Sequence, residues 1–162
     1  MRTLIIGSLF FLSSVLPGNA QTQCSYLFVD VYEDPGTYTG QCQNGRAHGV
    51  GTVDYDNGDR YEGEFQHGKR HGQGTLDWVS GSRYEGEFQH GKRHGQGTFF
   101  YAIVGFRYEG AWQHGKKHGQ GTLFFKRGNR YEGEWQHGKP TNGTEYLSSG
   151  ETCEYKNGQK MC

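Results

Sequence analysis

Apolar and polar residues alternate with a period of two along most of the chain after residue 20, in short stretches separated by glycine-containing turns. Tyr61, Gly63 and Phe65 fall on one side of an extended chain, and Glu62 and Glu64 fall on the other. This alternation predicts β-strands whose aromatic side is buried. No helical periodicity of useful length follows residue 20, so we expect an all-β protein.

The pattern returns at a fixed interval. Tyrosines 23, 23, 24 and 23 residues apart open successive units, namely Tyr38, Tyr61, Tyr84, Tyr108 and Tyr131. A constant period of this length is typical of repeat proteins. Each unit holds two alternating segments, which predicts one β-hairpin per unit. The predicted repeats span residues 38–60, 61–83, 84–107, 108–130 and 131–150.

Two sets of glycines mark the turns. One set follows a histidine or asparagine within each unit, as in Asn44-Gly45 and His67-Gly68, a dipeptide type that favours tight hairpin turns. The other set returns the chain to the next unit, at Gly58, Gly81, Gly105, Gly128 and Gly150. Since a lone hairpin is marginal in water, we expect the units to join edge to edge. The predicted fold is an elongated single-layer antiparallel sheet of stacked β-hairpin repeats.

Composition supports an ordered chain without a strong charge. The 162 residues include 28 glycines, yet 15% are aromatic, whereas disordered chains are poor in aromatics. Basic and acidic residues balance at 17 each, which argues against a nucleic-acid partner.

The first 20 residues have the layout of a secretory signal. Arg2 precedes an apolar stretch from Leu4 to Leu16, and small residues end at Ala20. The alternative is a membrane anchor, but the apolar run is shorter than the ~20 residues that a spanning helix needs. We expect cleavage after Ala20 and a secreted or periplasmic protein.

The four cysteines predict two disulfides at the ends of the array. If Asn157-Gly158 is a two-residue turn, Cys153 lies opposite Cys162 in a non-hydrogen-bonded pair, with Cα atoms ~4.5 Å apart. A sheet of five hairpins is too long for Cys24 or Cys42 to reach that end, so these two are expected to pair. Residues 21–37 and 151–162 are therefore predicted hairpin caps.

The repeat resembles a known family. The pattern Y-x-G-x-[FW]-x-x-G-x-x-x-G-x-G-T is complete at Tyr61, Tyr84 and Tyr108 and is similar to the MORN (membrane occupation and recognition nexus) repeat. The unit at Tyr38 has Cys42 in place of the aromatic, and the unit at Tyr131 departs from the pattern after Gly138. The resemblance implies hairpin arrays that bind partners or oligomerise, sometimes proposed to touch phospholipids, with no catalysis of their own.

Eight histidines form two columns. Residues of one column in successive repeats are expected about 10 Å apart, too far to share a metal ion. A two-histidine site within H-G-K-R-H would be incomplete and beside cations, so we predict no metal site and no cofactor; a pH-dependent surface is the weaker hypothesis. The columns are His67, His90, His114 and His137, and His48, His71, His94 and His118.

Basic residues accompany the same turns. Along one edge they could meet anionic lipid or another polyanion, or they could be an ordinary solvated rim. The residues concerned are Arg46, Lys69, Arg70, Lys92, Arg93, Lys116, Lys117 and Lys139.

The polar side changes character in repeats three and four. Phe100 and Phe124 continue a column that begins with Asp54 and Asp77. The one inserted residue of the array falls in the loop that follows Phe100. We expect a contiguous apolar patch for a partner or a second copy, unless residues 26–32 fold over it. The patch comprises Phe100, Ala102, Ile103, Val104, Ala111 and Phe124.

Catalysis has little support, because no nucleophile motif occurs and His and Glu recur in every unit rather than at one site. We therefore predict an exported, non-enzymatic scaffold that binds a protein partner or itself. The alternatives are attachment to an anionic membrane surface through the basic edge and, third, a small hydrolase or lyase that uses the repeat His and Glu residues.

Overall fold

The computed structural model of the protein describes residues 22–28 and 35–162. The predicted signal at residues 1–20 lies outside this part, as do residues 29–34 of the predicted N-terminal cap. In the described part the chain forms thirteen strands and no helix. The strands are β1 (Thr22–Phe28), β2 (Gly36–Gln43), β3 (Arg46–Tyr55), β4 (Arg60–Gln66), β5 (Lys69–Asp77), β6 (Arg83–Gln89), β7 (Lys92–Tyr101), β8 (Phe106–Gln113), β9 (Lys116–Phe124), β10 (Arg130–Gln136), β11 (Lys139–Tyr146), β12 (Thr152–Lys156) and β13 (Gln159–Met161).

All thirteen strands belong to one antiparallel sheet in which each strand pairs with the next in sequence. The predicted all-β sheet of consecutive hairpins is confirmed. The predicted hairpin turns are confirmed too, because His67 and Gly68 both have positive φ, 54° and 81°, as a type I′ turn requires. The turn at Asn157 also gives the expected register, with Lys156 opposite Gln159.

The core lies on one side of the sheet, which we call the aromatic face. It is defined by the tyrosine that opens each repeat and the Phe or Trp four residues later. The ring of Tyr84 stands edge-on to Phe88 of its own repeat, at 5.1 Å between centroids, and to Trp112 of the next, at 5.4 Å. The same contacts recur around Tyr61 and Tyr108, and Tyr131 stands edge-on to Trp135 and to Tyr155, so one zigzag of rings holds the repeats together.

A bulge interrupts the hairpin of each of the five repeats near its turn. In the second repeat, Gly63 pairs with Gly74 but Phe65 pairs with Arg70, so three residues of β5 stand opposite Glu64. Gly72 in this bulge has φ +57°, and the Glu64 carboxylate accepts a hydrogen bond from the Gln73 amide at 2.8 Å. The period-2 pattern did not indicate this feature, because an inserted bulge leaves the flanking alternation unchanged.

Disulfides close both ends of the sheet. Cys24 is joined to Cys42, with Cα atoms 6.1 Å apart, and Cys153 is joined to Cys162, at 4.4 Å. Each bond ties a terminal strand to its neighbour and so protects an edge that would otherwise fray. Two disulfides in a chain of this size are typical of an oxidising compartment.

Candidate binding surfaces

The side opposite the aromatic face, the polar face, carries a row of residues that face one another across the strands. Its first half alternates acid and base: Arg60 pairs with Asp54, and Arg83 contacts Asp77 at 2.7 Å. These side chains are between 44% and 62% exposed. The first half of the row is therefore a ladder of surface ion pairs, each of which stabilises the fold only weakly.

In its second half the row exchanges the acids for aromatic rings. The Arg107 guanidinium lies 4.5 Å from the centre of the Phe124 ring, and that of Arg130 lies 4.1 Å from the centre of the Tyr146 ring. Phe100, which stands opposite Arg107 on the neighbouring strand, is 43% exposed. We call this set the arginine–aromatic row, and it comprises Phe100, Arg107, Phe124, Arg130 and Tyr146.

The six residues of the expected apolar patch do not all come together. Arg107 stands opposite both Phe100 and Phe124 and separates them. Ala111 pairs with Gln96, whereas Phe100 pairs with Arg107, four residues earlier on the strand of Ala111. Ala111 is therefore not beside either phenylalanine. The strand of Ala111 does lie between the two phenylalanines, but the residue of that strand level with their rings is Arg107.

The other three patch residues lie in the return loop between β7 and β8. Ile103 is 88% exposed and Val104 is 45% exposed, whereas Ala102 is half-buried against the preceding loop. Exposed aliphatic side chains of this size are a feature of contact surfaces. The loop thus adds an apolar margin at the end of the strand that bears Phe100.

The junction between repeats three and four lacks a polar link that other junctions have. Asp59 and Asn129 accept hydrogen bonds from amides of the following return loop at 2.9 Å, but the equivalent residue here is Phe106. Phe106 instead packs edge-on against Phe125 at 5.1 Å. Within repeat four, Ala111 also stands where Glu64 and Glu87 cap the bulge of their own hairpins. Apolar contact replaces polar linkage at this one junction.

The N-terminal segment does not cover the patch in the part that the structure describes. Strand β1 pairs with β2 at the far edge of the sheet, with Tyr26 opposite Tyr38. Residues 29–32, the rest of the segment expected as a cover, lie outside the described residues. Residues 26–28 therefore do not fold over the patch, because their backbone pairs with β2.

The eight basic residues predicted for the turn edge divide between two surfaces. Arg70, Arg93 and Lys117 turn onto the aromatic face, where the Arg93 guanidinium lies 4.5 Å from the centre of the Trp112 ring and Lys117 Nζ lies 4.6 Å from that of Trp135. Consecutive residues of a strand point to opposite sides, which the shared sequence position had obscured. The exposed remainder is Arg46, Lys69, Lys92, Lys116 and Lys139.

Arg70, Arg93 and Lys117 form what we call the inner basic column, and burial changes its acid–base behaviour. Desolvation, reinforced by the neighbouring Arg93, lowers the pKa of Lys117 to about 8. The Arg93 side chain also donates from Nη2 to the Gly115 carbonyl of the next turn at 3.0 Å. These cations therefore hold repeats together and are not available to an anionic surface.

Histidines meet across repeats rather than within the H-G-K-R-H segment. The ring centroids of His71 and His90 lie 6.0 Å apart, and those of His94 and His114 lie 5.8 Å apart. The spacing within a column does not indicate these contacts, because each pair joins one histidine of each column. Within residues 22–28 and 35–162, no group of three or more His, Cys, Asp or Glu is placed to hold a metal ion.

The fold and these surfaces define a class: a linear repeat module built for contact along its length. The MORN repeat model matches residues 38–60, 61–83, 84–103, 108–130 and 131–141, more than half of the chain. The chain belongs to the MORN repeat family, whose repeats are generally binding or scaffold modules and typically non-catalytic. No curated protein matches the chain. A membrane-spanning helix is not found in the part of the chain that the structure describes.

Proposed function

We propose that this protein is an exported, non-enzymatic scaffold that binds a protein partner or a second copy through the polar face of repeats three and four. The observation that carries this proposal is the arginine–aromatic row, because Phe100 and Phe124 replace the acids of the first repeats on an exposed surface. Tyr, Trp and Arg dominate the binding energy of protein interfaces, and fixed aromatic rings lose little entropy on binding.

Two neighbouring features support the same surface. The exposed Ile103 and Val104 extend it at one end. Arg107 and Arg130 are each held by a glutamate, Glu109 at 3.0 Å and Glu132 at 2.5 Å, so their guanidinium groups are oriented before a partner arrives. A preordered surface binds with a smaller entropic penalty.

Export rests on the signal-like segment at residues 1–20, with cleavage after Ala20, and on the two disulfides. The protein would then act in a secreted or periplasmic setting.

The test replaces Phe100 and Phe124 by Asp, the residue that the same row uses at Asp54 and Asp77. Because that exchange extends an ion-pair ladder already present in the chain, we expect an unchanged circular dichroism spectrum and melting temperature. Self-association by sedimentation equilibrium, or capture of a partner from the native secreted fraction, should fall at least tenfold. The matched control is Asp54→Asn with Asp77→Asn, which should bind as the wild type does.

Equal binding by both double variants would exclude this face. The alternative, an anionic lipid surface met by the five exposed basic residues, predicts a different result: vesicle binding that fades with ionic strength and is indifferent to Phe100 and Phe124. Replacing Lys69, Lys92 and Lys116 by Gln would then abolish vesicle binding. The hydrolase or lyase alternative gains nothing from the histidine positions, since the pairs lie at the turn edge and the Glu row lies along the polar face.

A further inference from the structure

The histidine pairs recur at four successive junctions. Each histidine of a hairpin turn lies against a histidine of the preceding repeat, the one that follows Ala47, Arg70, Arg93 or Lys117. The centroid distances are 5.8 Å for His48 and His67, 6.0 Å for His71 and His90, 5.8 Å for His94 and His114, and 6.4 Å for His118 and His137.

One backbone hydrogen bond sets this geometry. The Gly68 amide in the turn donates to the Ala47 carbonyl of the preceding repeat at 2.9 Å, which brings His67 beside His48, the residue after Ala47. The same bond joins Gly91 to Arg70, Gly115 to Arg93 and Gly138 to Lys117. The sheet therefore holds the backbones of the two histidines of each pair side by side, within reach of one another's rings.

We propose that each pair is a two-imidazole site for a borderline divalent transition metal of the zinc class. A ~2.1 Å metal–nitrogen bond puts an imidazole centre roughly 3.2 Å from the ion, so two ligands of one ion have centres about 5.2 Å apart at a tetrahedral angle and about 6.4 Å apart when opposed. All four pairs fall within this range before any side chain moves. Two water molecules complete a tetrahedral shell, one more than in a catalytic zinc site, where three ligands come from the protein.

The surroundings permit a cation. Three basic residues directly precede a histidine of a pair, but they turn to the aromatic face, where they donate to carbonyls or cover rings. They are Arg70, Arg93 and Lys117. In the described part of the chain no hydrogen bond or ion pair occupies an imidazole, and Nδ1 of His48 is buried without a hydrogen-bond partner. The exposed lysines of the turns have long side chains that can swing away from an ion.

Turn chemistry alone does not require histidine at these positions. Asn44 and Asn157 adopt the same backbone conformation, with φ 51°, and asparagine tolerates it well. The residue that faces Asn157 is Asn142 rather than a histidine, and its side-chain oxygen accepts a hydrogen bond from the Asn157 backbone amide at 3.1 Å. Histidine thus appears in a turn where the facing residue is also histidine, which indicates a shared role for the two rings.

The test measures binding of Zn²⁺ alone to the untagged protein with both disulfides intact, by equilibrium dialysis at pH 7.5. We expect four ions per chain, with Mg²⁺ not bound. Replacing the four turn histidines, His67, His90, His114 and His137, by Asn should remove all four ions. Since the chain itself uses Asn in two such turns, the variant should fold, and its circular dichroism spectrum checks this.

A single-pair cycle separates shared sites from independent imidazoles. His94→Gln, His114→Asn and the double variant should each lose the same one ion if the two rings share it. A double variant that lost twice as much as either single variant would overturn the proposal, as would undiminished zinc binding by the fourfold variant or no binding by the wild type.

Discussion

The phenol of Tyr84 lies over Gly97 of the neighbouring strand, so that a methyl group at Gly97 would come within 2.7 Å of its hydroxyl oxygen and of two ring carbons. The Tyr84 hydroxyl donates to the Glu87 carbonyl at 3.0 Å. Gly86, on the same strand as Tyr84, faces Gly97. Paired glycines therefore form the floor on which each repeat's tyrosine rests, and this explains why the sheet is rich in a residue that ordinarily weakens strands.

Gly97→Ala should destabilise the protein by about 2–4 kcal/mol, because the ring must lift away and its hydrogen bond is lost. Gly115→Ala, in an open turn with φ +84°, should cost only about 1–2 kcal/mol for the left-handed backbone. Urea unfolding at constant pH measures both changes. A smaller loss for Gly97→Ala than for Gly115→Ala would show that the ring does not rest on the glycine.

Features that repeat with the strand period could be predicted from the sequence. The hairpin turn at Asn157 fixed the opposition of Cys153 and Cys162 by counting alone, because register follows from turn length. The aromatic side followed from the alternation in the same way. These features depend on neighbours within one hairpin.

Features that depend on two repeats at once could not be predicted from the sequence. The bond from the Gly68 amide to the Ala47 carbonyl of the preceding repeat brings His48 to His67. The separation of Phe100 from Phe124 by Arg107 likewise depends on position along a third strand. Counting columns identifies which residues are equivalent but not which ones touch.

Ala111→Glu should stabilise the protein by about 0.5–1.5 kcal/mol. The new carboxylate can accept from the Gln120 amide as Glu64 does from Gln73 and Glu87 from Gln96, both at 2.8 Å. Thermal unfolding at pH 7 measures the gain, and Ala111→Met, which adds a side chain of similar length without an oxygen acceptor, is the control for size. No gain, or a loss, would mean that the bulge of the fourth repeat differs from those of the second and third.

The fifth repeat contains a buried carboxylate, Glu145, that contacts two residues of the C-terminal cap. Glu145 stands opposite Tyr131, where other repeats have Leu76 or Leu123, and contacts Lys160 Nζ at 2.8 Å and the Tyr155 hydroxyl at 3.0 Å.

Lys160→Met should cost about 1–3 kcal/mol, since it leaves the buried charge with one partner fewer. Adding Glu145→Leu to Lys160→Met should recover most of that loss, because leucine suits the row. Urea unfolding of both variants measures the recovery. If the double variant is less stable than Lys160→Met, the carboxylate stabilises the cap without its lysine.

Stability should rise as the pH increases from about 8 towards 10. Burial lowers the pKa of Lys117 to about 8 from its usual value of 10.5, so within this window the unfolded chain holds a proton that the folded chain has released. Raising the pH then favours the folded state. Above about pH 10 the direction reverses, because burial raises the pKa of Tyr131 and of Tyr155 to about 12 and only the unfolded chain ionises there.

Urea midpoints between pH 7.5 and 9.5 measure the rising limb, with Lys117→Met as the matched variant. Methionine keeps an unbranched apolar chain over the Trp135 ring but does not titrate, so its midpoint should change little over this interval. Lys116, the exposed neighbour, provides the control: Lys116→Met should keep the wild-type slope. Parallel slopes for Lys117→Met and the wild type would assign the pH dependence to another group and would place the Lys117 ammonium in contact with water.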